Sequence, residues 1–237
     1  MKKIIVDTYD ELSDLMNSII VAEMTKDKKS NISITAGASP KGVYERLVKF
    51  YKKYSKDVKN TYFYNFDEVP AMNPNEEGMT LSSLREQFYT PANVEEENIV
   101  KLNLDNYDTY DQIIEDNGGL DLMMIGLGAD GHFCGNMPMG TDFSQYTYRM
   151  YIKEEYPWYA PIKEQYGDNE VPEYFVTMGL KSLLKVKHLV LIVNGTSKAE
   201  ALKKMLTLDM TNEFPATGLL LHPNFTIIAD KEAAALL

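Results

Sequence analysis

The sequence predicts an α/β fold in which helices sandwich a mostly parallel β-sheet. Three observations carry that prediction. Short apolar runs alternate with helical patterns along most of the chain. The run from Leu120 to Gly126 is almost continuously apolar, as a strand buried on both faces of a parallel sheet must be. Turns of small or charged residues follow several runs, and right-handed crossovers would gather those turns on one sheet edge, where such sheets bind ligands.

Each element has its own signal. Ile4 to Val6 reads as the first strand, and Tyr9 to Met24 as a helix with Leu12, Leu15, Met16, Ile19 and Ile20 on one face. Ile32 to Thr35 is the second strand, and the helical run Lys41 to Tyr54 follows the turn Ala36-Gly37-Ala38-Ser39-Pro40. Tyr62 to Phe66 is the third strand, ending at Asp67-Glu68. Leu81 to Phe88 and Tyr107 to Asp116 have helical spacing, and Asn117-Gly118-Gly119 stops the chain before the strand Leu120 to Gly126. Val176 to Val186 is expected to be helix, His188 to Val193 strand and Lys198 to Leu206 helix. Phe225 to Ile228 is the last strand, before a short terminal helix. Between them, Tyr146 to Glu173 is rich in tyrosine, proline and charge and lacks periodicity; it reads as an excursion, a lid or an interface flap.

With 237 residues, 44% hydrophobic and 25% charged, the chain suits one ordinary globular domain spanning residues 1–237. Its net charge of -11 opposes encounter with nucleic acid or an anionic membrane. A small anionic substrate stays open if backbone amides and lysines form a local patch. The one cysteine, Cys134, excludes an intrachain disulfide and a cysteine metal site, and suits a reducing cytoplasm. The start, MKKIIVDTYDEL, lacks the apolar run of a signal peptide, and no run approaches the roughly 20 residues that span a bilayer. A cytoplasmic protein is therefore expected.

Four turns hold the candidate chemistry. In TAGASP, Gly37 and Ala38 let the backbone approach an anion, Ser39 offers a hydroxyl, and Pro40 suits a first helical turn whose free amides favour negative charge. The same letters also describe a serine cap followed by proline with no ligand. In NFDEV, Asp67 and Glu68 end an apolar strand; either could accept a proton or cap a helix, and Asp67, beside Phe66, is the one expected to be buried and poised. In GLGADGHFCGNMP, Asp130 can fix the tautomer of His132 and stabilise its charged form, although an Asp-Gly turn is also a common structural corner. In NGTSKAEAL, Lys198 sits in a first helical turn, where it opposes the helix dipole unless an anion binds. His188 and His222 are expected to satisfy backbone near the sheet. Together the four turns imply a small phosphorylated substrate that undergoes proton transfer.

At this point the chain resembles the family of glucosamine-6-phosphate deaminases/isomerases and 6-phosphogluconolactonases. TAGASPKGVY is similar to the phosphate loop, YNFDEV to the strand bearing the catalytic acid, DLMMIGLGADGHFCGNMP to the signature, NGTSKAEAL to the lysine turn and FPATGLLLHPNFTIIAD to the end, in matching order. The resemblance implies a Rossmann-like three-layer sandwich, no metal and no cofactor. It implies a hexose 6-phosphate held by Gly37, Ala38, Ser39 and Lys198. Asp67 would move a proton between C2 and C1, His132 would assist ring opening, and Asp130 would orient His132. The product from glucosamine 6-phosphate would be fructose 6-phosphate and ammonia. The classes expected on this resemblance are isomerase and hydrolase, in amino-sugar and carbohydrate metabolism.

The departures matter as much. The family's deaminases have FNEP at the end of the signature, where this chain has Gly135, Asn136, Met137 and Pro138. Met137 cannot replace a carboxylate as an acceptor, so ring opening is the step it bears on. DEV is neither the DEY of deaminases nor the DER of lactonases. The last strand is followed by only a short segment, without the longer tail of the family's allosteric hexameric deaminases, and this weighs against effector control. A deaminase on a divergent branch is the expectation; a 6-phosphogluconolactonase and a non-catalytic sugar-phosphate sensor stay open, as does the choice between monomer and small homo-oligomer.

Overall fold

The computed structural model describes residues 1–73 and 76–237. Seven strands form one sheet: β1 (Lys2–Val6), β2 (Ser30–Ser33), β3 (Thr61–Tyr64), β5 (Ile99–Val100), β6 (Leu122–Gly126), β9 (Leu189–Val193) and β10 (Phe225–Asp230). Their order is β1-β10-β9-β6-β2-β3-β5, and every neighbouring pair is parallel. The other three, β4 (Asp67–Glu68), β7 (Thr147–Tyr151) and β8 (Tyr174–Met178), make a small antiparallel sheet in the order β4-β8-β7. The helices are α1 (Tyr9–Met24), α2 (Lys41–Tyr54), α3 (Met79–Leu84), α4 (Thr90–Ala92), α5 (Tyr110–Asp116), α6 (Tyr159–Tyr166), α7 (Leu180–Leu184) and α8 (Ala199–Thr207).

Period-2 alternation divides the sheet between two cores. Ile32, Leu122, Met124, Val190 and Ile192 pack with α1 and α2 on one face, and Met123, Ile125, Leu189, Leu191 and Ile227 with α5, α7 and α8 on the other. The expected α/β sandwich with a mostly parallel sheet is thus present. A third apolar cluster, with Val69, Met137, Met150, Ile162 and Phe175, lies in the small sheet and the segment that crosses it. After β2 the chain winds out through β3 and β5, then returns to place β6 on the other side of β2. The order therefore reverses between β2 and β6, and the turns after these two strands flank one crevice.

Several expectations need correction. The third strand stops at Tyr64, because the Asn65 side chain takes over the next backbone partners: it donates to the carbonyls of Asp67 and Leu102 and accepts from the Leu102 amide. Asp67 consequently belongs to the antiparallel sheet, opposite Thr177. The expected helix Val176 to Val186 is half strand: Tyr174–Met178 pairs with β7, and only Leu180–Leu184 is helical. Gly179 divides them, packed so closely on the Gln145 and Tyr146 carbonyls that a side chain would collide. The helix expected over Leu81 to Phe88 includes one π-helical turn, Arg85–Tyr89. Ile99–Val100 is an additional edge strand. The terminal helix is a run of turns, because Asp230 takes the Ala233 amide with its own carboxylate. The excursion is ordered: it supplies β7 and α6.

Candidate active site

A cavity of about 480 Å³ opens at the crevice, lined by Gly37, Ala38, Ser39, Asp67, His132 and Lys198. Six of the seven expected site residues thus share one cavity, and Asp130 stands directly behind His132. Each arrives by a different local device.

The turn after β2 is held from below by Tyr9, whose hydroxyl donates to the Ser39 carbonyl at 2.8 Å and accepts the Gly42 amide at 2.8 Å. Gly37 adopts φ 111°, a left-handed value that a side chain rarely tolerates. Pro40 occupies the cap position of α2 and makes no side-chain cap bond, so Ser39 is not the serine cap of the structural alternative. Of the first-turn amides of α2, that of Lys41 donates to the Ala38 carbonyl at 3.3 Å and that of Gly42 to Tyr9.

The turn after β6 closes with Gly128 N–H donating to the His132 carbonyl at 2.9 Å. Gly128 must be glycine, since a Cβ would collide with the His132 ring and Asp130 Oδ1. Asp130 Oδ1 lies 2.6 Å from His132 Nδ1 and accepts the His132 amide at 3.2 Å. Burial pushes the Asp130 carboxyl up, but the hydrogen bond and charge of His132 outweigh it and hold the group below its usual range. Edge-on against His132, at 5.4 Å between ring centres, is Trp158, which in turn packs on Phe175 at 5.5 Å.

Asp67 is buried, and desolvation pushes its carboxyl up to about 6 against the Thr80 hydroxyl and the nearby His132. Glu68 is pushed further, to about 8, again by burial; it accepts the Thr80 and Leu81 amides at 2.8 and 3.0 Å. The two readings of NFDEV are therefore divided between its acids: Asp67 faces the cavity and Glu68 caps a helix. Lys198 precedes α8 and lines the cavity; burial lowers its ammonium pKa, while Asp130 pulls the other way. His188 Nε2 pairs with Thr226 Oγ1 and His222 Nε2 with the Val186 carbonyl, both at 2.9 Å, as expected of histidines serving the sheet.

Met137 is fully buried in the third apolar cluster. The segment around it is stapled to β8, through Gly135 N–H to Thr177 Oγ1 at 2.9 Å and Asn136 Nδ2 to the Met178 carbonyl at 2.8 Å. Sequence reasoning missed Tyr9, Thr80 and Trp158. Only Trp158, the chain's single tryptophan in an aperiodic segment, carried any signal. Among the described residues, no group of His, Cys, Asp and Glu is arranged to hold a metal ion, and no helix is long and apolar enough to cross a membrane.

An open parallel sheet with a small-residue turn before a helix, a cavity lysine and an Asp-His pair is an arrangement suited to a small anionic molecule. The chain matches the family of glucosamine-6-phosphate isomerases/6-phosphogluconolactonase over residues 6–227 and belongs to it. It is 34% identical over 236 residues to the glucosamine-6-phosphate deaminase of Lysinibacillus sphaericus, covering 96% of this chain and 98% of the relative. It is 32% identical over 243 residues to that of Thermoanaerobacter pseudethanolicus, covering 100% and 95%. A solved structure of a monomeric glucosamine-6-phosphate deaminase superposes with a TM-score of 0.83 at 28% identity, over the whole of both chains. The 6-phosphogluconolactonase from Trypanosoma cruzi superposes at 0.78 with 18% identity, covering 100% and 96%, a likeness of fold alone.

The expectation of a hydrolase is corrected by these relatives. Among these comparisons hydrolases are reached only through the 6-phosphogluconolactonase neighbours, which share the fold alone, whereas the relatives at 34% and 32% identity are deaminases.

Proposed function

We propose that the protein is a glucosamine-6-phosphate deaminase, converting glucosamine 6-phosphate and water to fructose 6-phosphate and ammonia. The observation that carries the reading is that Asp67 and His132 line the same cavity as the Gly37–Ser39 turn and Lys198. A phosphate sensor needs the turn and the lysine but neither proton carrier.

In this reading the 6-phosphate binds the amides of the Gly37–Ser39 turn and the Lys198 ammonium. His132, oriented by Asp130, takes the proton of the C1 hydroxyl; the C1–O5 bond breaks, O5 gains a proton, and the open aldehyde forms. Asp67 removes the proton on C2 while the aldehyde oxygen takes one from the 2-ammonium group, giving an enolamine with a C1 hydroxyl; Asp67 then returns its proton to C1, which leaves an iminium at C2. Water adds to that carbon, and the carbinolamine expels ammonia to leave the ketone. Burial suits Asp67 to this task, because a carboxyl raised to about 6 is a stronger base than an exposed one and is still ionised at neutral pH. A reducing cytoplasm suits the single thiol.

Purified protein is to be incubated with glucosamine 6-phosphate and, separately, with 6-phosphogluconolactone. Equimolar ammonia and fructose 6-phosphate are expected from the first. Loss of lactone without ammonia release, or binding without turnover, would overturn the proposal.

A further inference from the structure

We infer that Glu68 and Thr80 are positioning residues for Asp67: Glu68 anchors the first turn of α3 by its backbone amides, and Thr80, within that turn, holds Asp67 Oδ1 so that Oδ2 meets the substrate's proton. The inference rests on Asp67 as the acid/base of the proposed reaction.

A proton carrier at carbon has to present one oxygen in one direction, since small errors of position are costly in rate. Asp67 stands on a strand of two residues, and a carboxylate there can turn about its own bonds. Thr80 Oγ1 donates to Oδ1 at 2.9 Å and fixes that rotation. Thr80 is far along the chain from Asp67, so something must hold it in reach. Its own amide donates to Glu68 Oε1 at 2.8 Å, the Leu81 amide donates to Glu68 Oε2 at 3.0 Å, and the Met79 amide donates to the Val69 carbonyl at 2.9 Å. Three consecutive amides of α3 are thereby docked on residues 68 and 69. Gly78 permits the approach, because a Cβ there would collide with the Val69 carbonyl and Glu68 Oε1. Both Glu68 oxygens are engaged by backbone, which leaves this acid no direct part in the chemistry.

The arm is also electrically coupled to the base it holds. Asp67 and Glu77 face Glu68, with the Tyr89 phenol close by, and Glu77 is itself paired with Arg85 and Lys101. Asp67 faces His132 and Cys134 on its other sides. Glu68, raised to about 8, therefore becomes charged just above neutral pH, beside a base already ionised there.

The test is the titration of the Asp67 carboxyl carbon, followed by NMR in protein labelled at aspartate, for the parent, Thr80→Val, Thr80→Ser and Glu68→Gln. The parent is expected to titrate near 6, with a second displacement near 8 as Glu68 ionises. Thr80→Val should move the main midpoint up by roughly one pH unit, because a donor to the charged form is lost. It should also lower kcat on glucosamine 6-phosphate by about ten- to a hundredfold, with KM within about twofold. Thr80→Ser should restore both, and Glu68→Gln should abolish the displacement near 8. An Asp67 titration unmoved by Thr80→Val, or unrestored by Thr80→Ser, overturns the inference. The NMR measurement needs no turnover, so a protein that fails to deaminate would remove the proposed reaction and still leave the positioning arm to be judged.

Discussion

Two aspartates serve the same cavity, and their surroundings push them in opposite directions. Asp130 lies in a turn whose histidine holds its carboxyl below the ordinary range, whereas Asp67 lies in a dry corner that raises its carboxyl to about 6. The difference follows from how the two walls are made. The wall with Asp130, the Gly37–Ser39 turn and Lys198 consists of short contiguous turns at the ends of parallel strands, open to anions through backbone amides. The wall with Asp67 is assembled from β4, α3 and β8, and its character comes from burial among residues distant in sequence. A turn can hold a phosphate and a charged pair. A base able to take a proton from carbon near neutral pH needs desolvation, and desolvation needs the second wall.

The largest test of that division is to remove one proposed proton carrier from each wall. Asp67→Asn should lower deamination by roughly 10²- to 10⁴-fold and abolish deuterium uptake from solvent at C1, for closed and open sugar alike. His132→Gln should suppress reaction of the closed ring and spare the open-chain fraction, visible as a burst whose size follows the open fraction. Equal loss in both variants for both forms would erase the division. Lys198→Ala comes next: losing a charge-assisted contact to phosphate should raise KM by about ten- to a hundredfold with kcat little changed. An unmoved KM would take Lys198 out of the site.

The first wall was legible in the sequence; of the second, Asp67 was legible and the elements that bury it were not. Apolar runs and small-residue turns are local signals, so β2, β6, β9 and the three turns after them were readable from TAGASP, GLGADGH and NGTSK. The antiparallel sheet joins Asp67 to Thr177, a pairing that neither segment signals by itself. Val176, Leu180 and Leu183 happen to fall at helical spacing, which hid β8 until Gly179 is seen as a break. Thr80 has no motif around it at all. Trp158 reaches His132 only because α6 folds back over the cavity.

Met137 sharpens the comparison, because it stands where the family's deaminases carry a glutamate yet belongs to the second wall. It is fully buried beside Val69, Met150 and Phe175. Met137→Glu therefore places a carboxyl in a largely apolar cluster, and should destabilise the fold by about 1–3 kcal/mol. Thermal unfolding and ammonia release read the two outcomes. A variant that deaminates faster with its melting temperature intact would mean that the position opens onto His132 and that the apolar cluster yields easily.

The smallest effect is a stability change that belongs to the second wall alone. The folded pKa of Glu68, about 8, lies above its ordinary 4.5, so the folded state binds that proton more tightly than the unfolded chain. Its contribution is complete below about pH 4.5 and is lost as pH rises through 8. Asp67 has the same sign, its contribution lost as pH rises from its ordinary 3.8 through about 6. Asp130, lowered from 3.8, has the opposite sign, and its contribution is lost only as pH falls below that value, outside the window that matters here. The melting temperature should therefore fall between pH 6 and 8.5. Glu68→Gln keeps the shape and removes the charge, so its melting temperature should be flatter over the same range, although one amide then loses its best acceptor and the whole curve lies lower. A parent curve that is level or rising through this range would mean that Glu68 is ionised throughout and that the α3 amides, rather than burial, govern it.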